Sequence, residues 1–410
     1  MKYVRTHETR DKFLADKNST SRGFRLAPTL YKYSDESEDE DNRDHIYLEL
    51  DDPRKHEGST YMEIALNSDV EFSFYIGNAS GDTQTTMTCT VDWGDGTIET
   101  KTITKDTYGF KLAHNYKAGS YKIELYEVER EYSVVGDNAN DRSLISHPSS
   151  IKRVVLGNSV VSIGYDVFRG CYSLTSVYIP ENVTSIGGVS FAYCSRLMSV
   201  YISEGVMYIG AGMFYNCPFS SIHIPESVTS IGSNVFGDCR ALKSIHIPEN
   251  VTSIGSRTFQ DCSSLISVYI SESVTSIRNY AFQDCSSLKS INIPDSVVSI
   301  EDGAFYQCRS LTSINIPEGI TTINQYAFSK CSSLKSIDIP EKVTSIEDSA
   351  FEGCSSLTSI SSFNPTTPTL GGNIFLNLPT NGTLHIKPGA TGYDAWLSKL
   401  PEGWRIVEDL

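Results

Sequence analysis

Residues 288–311 read LKSINIPDSVVSIEDGAFYQCRSL, and close copies of this stretch follow one another along much of the chain. Ile291 and Ile293 alternate with polar residues, which predicts a half-buried β-strand. Pro294 ends that strand, because proline has no backbone N–H to give to a sheet. The stretch therefore begins with one short strand that stops at a fixed point.

The second half of the stretch contains two further segments whose apolar side chains are expected in the core. Val297 and Ile300 point inward from a second, shorter extended arm. Ala304, Phe305 and Cys308 have the spacing of residues that share one face of a helical turn. We therefore expect each copy to be a coil that contains a strand, a shorter extended arm and a helical turn.

The most regular feature of the copies is a phenylalanine followed three residues later by a cysteine. These pairs recur every 23 residues, apart from one step of 22 between Phe214 and Phe236. A fixed period in the twenties predicts a stacked solenoid, in which each coil buries its apolar face against its neighbours. The predicted core columns consist of Phe168/Cys171, Phe191/Cys194, Phe214/Cys217, Phe236/Cys239, Phe259/Cys262, Phe282/Cys285, Phe305/Cys308, Phe328/Cys331 and Phe351/Cys354.

The consensus of the copies, IPExVTSIxxxAFxxCSSLxSI, resembles the BspA-like subfamily of leucine-rich repeats over residues 151–360. The departures are small. Ser203 and Ser271 replace the proline, and Phe219 takes the leucine position in the short copy. The resemblance implies a leucine-rich-repeat solenoid of 23-residue coils. It also implies a relation to bacterial surface proteins, in which this subfamily occurs.

Nine of the ten cysteines belong to this column, and Cys89 is the exception. Coils in register would bring neighbouring sulfurs close together, so a disulfide ladder must be considered. Side chains of one column point the same way, however, whereas a disulfide needs Cβ atoms that face each other. Zinc is disfavoured because no Cys-x-x-Cys motif or histidine partner lies nearby. We therefore expect buried free thiols that act as small hydrophobic residues.

Residues 61–128 have a different pattern, of short alternating strands. The run VDWGDGT at residues 91–97 predicts a strand that enters a glycine-rich hairpin turn. The runs HNY at residues 114–116 and GSYKIEL at residues 119–125 follow it. The motif order W-G-D-G, H-x-Y and G-x-Y-x-I-x-L resembles the PKD family, whose members are immunoglobulin-like β-sandwiches.

The PKD resemblance implies structural roles for the residues of these motifs. Trp93 would pack in the core, and Tyr116 and Tyr121 would fill the space between the sheets. Asp92 and Asp95 could hold a cation, but an aspartate beside glycine more often caps a turn, and we favour that role. Such a module is expected to act as a spacer or an adhesion module.

The predicted fold class is mainly β, with the solenoid preceded by an immunoglobulin-like β-sandwich. In the N-terminal arm, residues 45–50 read as one strand. The side chains expected to cover the open end of the solenoid are those of Tyr393, Trp396, Leu397 and Trp404. The expected segments are an N-terminal arm with an acidic linker and a docking segment (1–60), the sandwich (61–128), a linker (129–150), the solenoid (151–375) and a C-terminal cap (376–410).

The most suggestive surface column lies between the two strand isoleucines of each copy. In five consecutive copies this position carries a ring, and we call the set the aromatic stripe: Tyr178, Tyr201, His223, His246 and Tyr269. Such a stripe suits stacking against sugar rings or hydrogen bonding to a protein partner. The alternative is a stack of rings that only stabilises the sheet.

An acidic column follows the strand-ending position of successive copies. It consists of Glu181, Glu204, Glu226, Glu249, Glu272, Asp295, Glu318 and Glu341. Like charges about 5 Å apart repel one another even in water, so these carboxylates should spread into solvent. Calcium or a basic partner could use them. A solvated edge that prevents aggregation is the alternative, and we favour it.

Composition and motifs exclude several classes of function. The formal net charge of −16 argues against nucleic-acid binding, because phosphate contacts need surfaces rich in lysine and arginine. Residues 1–20 lack the apolar core of a secretory signal, and the chain has no apolar run long enough to insert in a membrane. It also lacks phosphate-loop, HExxH, GxSxG and dinucleotide motifs. We therefore expect no enzyme activity, no cofactor and no metal.

Two modules typical of extracellular adhesion thus lie on a chain without an export signal. A bacteriophage structural protein would reconcile the two observations, as a fibre or decoration protein on the virion surface. Its solenoid would bind a host-surface glycan, mucus or a protein, and residues 1–60 would dock on other virion proteins. The alternatives are a bacterial cell-surface adhesin and an intracellular protein-interaction scaffold. The sequence leaves the oligomeric state open.

Overall fold

A computed structural model describes residues 59–79, 83–126, 128, 131–135 and 145–410. The chain divides into two units, Met1–Leu50 and Asp51–Leu410. The described residues all lie in the second unit. The strand predicted at residues 45–50 and residues 1–58 of the expected docking arm lie outside the described residues.

The described chain is almost entirely β-structure. Before the repeats it forms β1 (Thr60–Leu66), β2 (Val70–Asn78), β3 (Thr86–Asp92), β4 (Ile98–Thr104), β5 (Phe110–Tyr116), β6 (Gly119–Tyr126) and β7 (Tyr132–Val134). The repeats then form β8 (Ile151–Val155), β9 (Val160–Ile163), β10 (Ser176–Ile179), β11 (Ser185–Ile186), β12 (Ser199–Ile202), β13 (Tyr208–Ile209), β14 (Ser230–Ile231), β15 (Ser244–His246), β16 (Ser253–Ile254), β17 (Ser267–Tyr269), β18 (Ser276–Ile277), β19 (Ser299–Ile300), β20 (Thr322–Ile323), β21 (Ser336–Ile339), β22 (Ser345–Ile346), β23 (Ser359–Ser362), β24 (Thr369–Leu370), β25 (Thr383–Ile386) and β26 (Arg405–Glu408). The helical elements among the described residues are a 3-10 turn, Pro148–Ser150, and the short helix α1 (Asp394–Leu397).

The first seven strands form a module of two sheets. One sheet has the order β4-β3-β6-β1, and the other has the order β5-β2-β7. Neighbouring strands within each of these sheets are antiparallel. Trp93, Phe72 and Phe110 are fully buried in the module. Tyr116 is buried as well, and its ring centroid lies 4.5 Å from that of Tyr121.

Both sheets of the module continue into the repeats. Strand β1 pairs with β8 in antiparallel orientation, and β8 leads to β10 and β12. Strand β7, which lies in the segment expected to be a linker, pairs with β9, and β9 leads to β11, β13 and β14. The buried apolar residues form one cluster from Met62 to Trp404. The module therefore covers the first coil of the repeats without a break in the core.

The repeats form a β-solenoid, which confirms the prediction of a mainly β chain of stacked coils. Each coil has a main strand position and a short strand position, and equivalent strands pair in parallel and in register. Tyr178 pairs with Tyr201 on the main face, and Ile186 pairs with Ile209 on the short-strand face. Because the register never slips in the paired coils, equivalent side chains form continuous columns.

The segment around each Phe-Cys pair is not the helical turn that the spacing predicted. The residues two before and two after the phenylalanine both have positive φ; Gly303 (59°) and Gln307 (62°) flank Phe305. A helix cannot contain such residues, so the segment is a pair of tight turns. Its N–H groups pair with the next coil, for example from Phe305 to Ala327 at 2.9 Å. The turns nevertheless direct the phenylalanine and the cysteine inward.

The phenylalanine rings form a stack through the interior. Their centroids are 5.2–6.0 Å apart from coil to coil, and their planes differ by 5–18°. In the short copy, Phe219 meets Phe214 and Phe236 edge-on. Phe219 stands where the other coils have leucine, and its larger side chain fills that position in the one coil that is shorter by a residue. Near the C-terminal end, the ring of Phe375 lies 5.5 Å from that of Trp396 in α1.

All ten cysteines are free and buried. From the second coil of the column onward, each thiol donates a hydrogen bond to the main-chain carbonyl of the phenylalanine one coil earlier, at 3.1–3.2 Å. Burial raises the pKa of Cys239 and of Cys354 to about 12. The column therefore consists of buried thiols whose hydrogen bonds link successive coils.

The column cysteines are buried free thiols, as expected, and Cys194 shows that they have a polar role as well. Cys194 follows Tyr193, whose φ of 61° is incompatible with a helix, so Cys194 does not share a helical face with Phe191 as predicted. Its buried thiol donates a hydrogen bond to the carbonyl of Phe168 at 3.2 Å. Burial raises the pKa of Cys171, and the neighbouring thiol of Cys194 raises it further. Cys194 is thus a polar link between coils as well as a core residue.

Main strands are absent from three coils of the described repeats, including the coil of Ile291 and Ile293. Both isoleucines are buried as predicted, but the next coil pairs with them differently. The carboxamide of Asn315 accepts a hydrogen bond from the N–H of Ile293 at 3.0 Å and donates one to its carbonyl at 2.6 Å. A side chain thus takes the place of the backbone ladder here.

The C-terminal end is covered by a compact cap. Tyr393, Trp396 and Trp404 are buried, whereas Leu397 is largely exposed. Trp404 donates its indole N–H to the carbonyl of Pro379 at 2.8 Å. Three of the four side chains expected to close this end are therefore buried in it.

Candidate functional site

The aromatic stripe lies on the outer face of the main strands. Tyr178, Tyr201, His246 and Tyr269 belong to strands β10, β12, β15 and β17, and His223 occupies the same position in a coil without a main strand. Inward neighbours such as Ile179 and Ile202 are buried. The strand alternation therefore directs the rings outward. Tyr201, His223 and Tyr269 are exposed, and Tyr178 and His246 are half-buried.

The rings of the stripe stack on one another along the solenoid. The centroids of Tyr178 and Tyr201 are 5.1 Å apart with an interplanar angle of 11°. Those of His246 and Tyr269 are 4.6 Å apart with an angle of 12°. Each stacked pair covers one face of both of its rings, so ring edges and tyrosine hydroxyl groups form much of the outer surface of the stripe. This geometry favours hydrogen bonding at the edges over stacking of a sugar on a ring face.

The acidic column runs beside the stripe and is exposed in each coil. Glu226 Oε1 lies 3.4 Å from His246 Nε2. Glu204 and Glu226 also accept hydrogen bonds from backbone N–H groups of the following coil, at 3.1 Å and 3.3 Å. Partial burial, the neighbouring tyrosine and Glu181 together raise the pKa of Tyr178. The tyrosine hydroxyls of the stripe therefore stay protonated donors beside a row of carboxylates.

The surroundings of His223 in the stripe shift its pKa in opposite directions. Partial burial lowers the pKa of His223, and the charge of His246 lowers it further. The carboxylates of Glu204 and Glu226 act in the opposite direction but do not overcome burial. His223 is therefore neutral at pH 7, and its ring nitrogens can accept as well as donate hydrogen bonds.

The predicted core columns lie inside the solenoid, away from the stripe. Their side chains are all buried, as in the pairs Phe168/Cys171, Phe191/Cys194, Phe259/Cys262 and Phe282/Cys285. Cys194, for example, is enclosed by the coils of Phe168 and Phe191, and its thiol bonds to a main-chain carbonyl. These residues therefore support the surface but are not themselves accessible to a ligand.

The aspartates of the W-G-D-G run cap their own turn, as we favoured from the sequence. Asp92 accepts a hydrogen bond from the N–H of Gly94 at 2.8 Å, and Asp95 accepts one from the N–H of Thr97 at 2.9 Å. The second oxygen of Asp95 lies 2.8 Å from His114 Nε2. Both carboxylates are thus engaged within the turn and its neighbouring strand.

The sequence predictions missed a group of exposed apolar residues in one coil. Met198, Tyr201, Met207 and Tyr208 are all exposed, and only Tyr201 belongs to the stripe. The signal was available in the repeats themselves, because neighbouring coils carry threonine and serine at the positions of Met207 and Tyr208. The period revealed the core columns, but the outer columns have to be compared coil by coil.

Within the described part of the chain, no group of three or more His, Cys, Asp or Glu side chains is placed to hold a metal ion. Over the same residues, no helix has the length and apolar character needed to cross a membrane. The groups of the described surface that could contact a ligand are therefore mainly hydroxyl groups, imidazoles, carboxylates and a few apolar side chains.

The family model described as the BspA type leucine rich repeat region matches residues 145–243, 207–332 and 275–387. These matches together span more than half of the chain. No curated protein matches the chain.

Solved leucine-rich repeat structures are also similar to the chain. A protein from T. pallidum is 28% identical over 44% of this chain and 83% of its own, with a TM-score of 0.40. A cell surface protein from Faecalibacterium prausnitzii is 29% identical over 61% of this chain and 82% of its own, with a TM-score of 0.35. A protein from Bacteroides ovatus is 21% identical over 80% of this chain and 100% of its own, also with a TM-score of 0.35.

Proposed function

This chain belongs to the BspA-type leucine-rich repeat family, and from that premise we propose that it is a non-enzymatic recognition protein that binds a host-surface protein. The single observation that carries the proposal is the exposed aromatic stripe with its flanking carboxylates on an otherwise serine- and threonine-rich solenoid. Tyrosine edges combine contact area with a polar tip, which suits protein interfaces. A host-surface glycan or mucus is the alternative ligand.

The ring geometry favours the protein ligand over the glycan. A sugar binds aromatic side chains mainly through a ring face, and the stacked pairs Tyr178–Tyr201 and His246–Tyr269 cover one face of each ring. The hydroxyls of Tyr178 and Tyr201 lie at the ring edges and are hydrogen-bonding groups. A protein surface with donors and acceptors at similar spacing would use them directly.

The test compares two arrays, one of purified cell-surface proteins and one of glycans. The stripe variant is Tyr178→Ser/Tyr201→Ser/Tyr269→Ser, because Ser361 occupies this column within the main strand β23. Tyr172→Ser/Tyr193→Ser, which removes two exposed tyrosines outside the stripe, is the matched control. We expect protein-array binding to be lost in the stripe variant and kept in the control. Loss confined to the glycan array would favour the glycan, and unchanged binding on both arrays would remove the stripe as the site.

Binding to a host surface requires display outside the producing cell. We propose the virion surface of a bacteriophage, where residues 1–60 would dock on other virion proteins and a PKD-like module of residues 61–128 would act as a spacer. A bacterial cell surface is the alternative location, and an intracellular scaffold is the third. Mass spectrometry of purified particles would detect the virion protein, and a membrane-impermeant label on intact cells would detect the adhesin. A chain found only in lysate would contradict both surface locations.

A further inference from the structure

One coil of the solenoid differs from its neighbours on its outer surface. Four large apolar side chains are exposed within residues 198–208: Met198 (52%), Tyr201 (43%), Met207 (52%) and Tyr208 (43%). We call this set the corner patch, because its members lie on both sides of the bend between the main strand β12 and the short strand β13.

The repeats themselves provide the comparison that makes the corner patch unusual. The preceding coil has Thr175, Thr184 and Ser185 at the positions of Met198, Met207 and Tyr208. The following coil has Ser220, Thr229 and Ser230 there. The backbone of the short strand is equivalent in the three coils, since Tyr208 pairs in register with Ser185 and Ser230. The apolar side chains are therefore not needed to form the coil.

The bend between the two strands departs from the consensus as well. Ser203 replaces the proline found at Pro180 and Pro225, and its buried hydroxyl has no hydrogen-bond partner within the described residues. At Gly205, a Cβ atom would lie 1.6 Å from the carbonyl oxygen of Glu181. The bend is thus drawn tightly against the preceding coil, and only glycine permits that approach.

The charge around the corner patch is negative. Glu204 lies in the bend, and Glu181 and Glu226 occupy the equivalent exposed positions of the adjacent coils. Between Arg169 and Arg240 the sequence contains a single lysine or arginine, Arg196. A second copy of the chain would bring the same negative column to the contact. The charge therefore disfavours self-association and suits a cationic partner.

We propose that the corner patch is a docking site for a basic, apolar segment of a partner protein. Met207 and Tyr208 would supply the contact area at the centre, Met198 and Tyr201 would extend it along the main strand, and the carboxylates of the acidic column would pair with lysine or arginine at the rim. The inference rests on the proposed function in that it names a chemical class of protein partner. It also extends the contact surface beyond the aromatic stripe, around the bend.

The experiment selects binders from a displayed library of random twelve-residue peptides on the immobilised full chain. Selected peptides are synthesised, and their affinity is measured by fluorescence anisotropy. The patch variant is Met207→Thr/Tyr208→Ser, which copies the neighbouring coils and should leave the thermal midpoint unchanged. The matched control is Val298→Thr, because Val298 occupies the column of Met207 in another coil and is exposed as well.

We expect the selected peptides to combine lysine or arginine with aromatic or aliphatic residues. Their affinity should fall by roughly tenfold or more in the patch variant and should be unchanged in the control. Glu204→Gln/Glu226→Gln and added salt should each weaken binding as well, because both reduce the attraction to cationic peptides.

Two results would overturn the docking site. One is the selection of neutral or acidic peptides, or of peptides that bind wild type and patch variant equally. The other is concentration-dependent self-association in analytical ultracentrifugation that the patch variant abolishes. If the stripe variant loses array binding while the patch variant keeps it, the proposed function stands and only the corner patch fails.

Discussion

The thiol of Cys285 donates a hydrogen bond to the main-chain carbonyl of Phe259, one coil earlier, over 3.2 Å. That carbonyl also accepts the N–H of Cys262 in its own coil, at 3.1 Å. One oxygen thus uses both of its lone pairs, one within a coil and one between coils. The cysteine column therefore contributes to the cohesion of the stack in addition to filling volume.

Native thiols should be almost unreactive. Burial raises the pKa of Cys239 and Cys354 to about 12 and that of Cys89 to about 11, so the reactive thiolate is scarce at pH 8. We expect negligible reaction with a colorimetric disulfide reagent in native buffer and release of all ten thiols in guanidinium chloride. Rapid reaction of several thiols in native buffer would contradict the buried column.

Removing one ring from the phenylalanine stack should be costly. Phe282 lies 5.3 Å from both Phe259 and Phe305, and it is fully buried. Phe282→Ala should lower the free energy of unfolding by about 3–5 kcal/mol, because it opens a cavity between two coils. Denaturant unfolding measures the loss, and Phe282→Leu should lose less. Equal stability of Phe282→Ala and wild type would contradict a continuous packed stack.

Asn315 should stabilise the solenoid although it lies in a surface column. Asn315→Ala leaves the N–H and the carbonyl of Ile293 without the carboxamide that binds them, which should cost about 1–3 kcal/mol. Asn292→Ala, at the same position one coil earlier, is the control and should change stability by less than about 0.5 kcal/mol. Thermal unfolding of both variants gives the comparison. Equal losses would mean that the two asparagines play the same role.

Gly205→Ala should destabilise the bend of the corner patch. The added Cβ would overlap the carbonyl of Glu181, so the bend must move away from the preceding coil at a cost of about 1–3 kcal/mol. Gly319→Ala, at the equivalent position of a later coil, is the control, because its Cβ would come no closer than 3.0 Å to a methyl group of Val298 and 3.5 Å to the carbonyl oxygen of Val297. A thermal midpoint that falls mainly for Gly205→Ala would support the tight bend, and equal midpoints would argue against it.

His223 should make stability sensitive to mild acid. Burial lowers its pKa in the folded state, so the unfolded chain binds a proton more readily as the pH falls below about 6.5. Above pH 7 His223 therefore does not change the stability of the fold. Below about pH 6.5 the stability decreases, because the unfolded chain takes up the proton more readily. We expect the thermal midpoint to fall less between about pH 7.5 and pH 5 for His223→Asn than for wild type. Parallel curves would show that His223 does not contribute.

The sequence predicted the core columns well because their signal repeats in every coil. It failed at the turns, since tyrosine, arginine and lysine rarely adopt positive φ, yet Tyr280, Arg257 and Lys330 do so. Each is held there by backbone pairing with the next coil, a contact that local sequence does not report. Pairing of β1 with β8 is similarly invisible in a sequence, because it joins segments that are far apart along the chain.

The thiol hydrogen bonds of the cysteine column were missed for a related reason. The spacing of Phe191 and Cys194 indicated that both side chains point inward, and both are buried. It could not indicate that Cys194 reaches the carbonyl of Phe168, because that contact depends on how closely two coils stack. The sequence therefore predicted burial of the column but not its polar role.

The stripe residues could be identified from the sequence, but their arrangement could not. Alternation places Tyr178 and Tyr201 outward, whereas their mutual stacking depends on side-chain torsions that are set only when the coils are assembled. The corner patch was overlooked for a different reason. Met207 interrupts a column of threonines, and a search for regularity passes over the position that breaks it.

The shared sheets have a mechanical consequence. Because β1 joins β8 and β7 joins β9, a pull on the first module would be carried into the coils through two hydrogen-bonded ladders at once. When paired strands are pulled along their length, many backbone hydrogen bonds must break together. Within the described residues, no hinge separates the first module from the coils. A ligand held on the outer surface would therefore be presented at a constant angle under flow or shear.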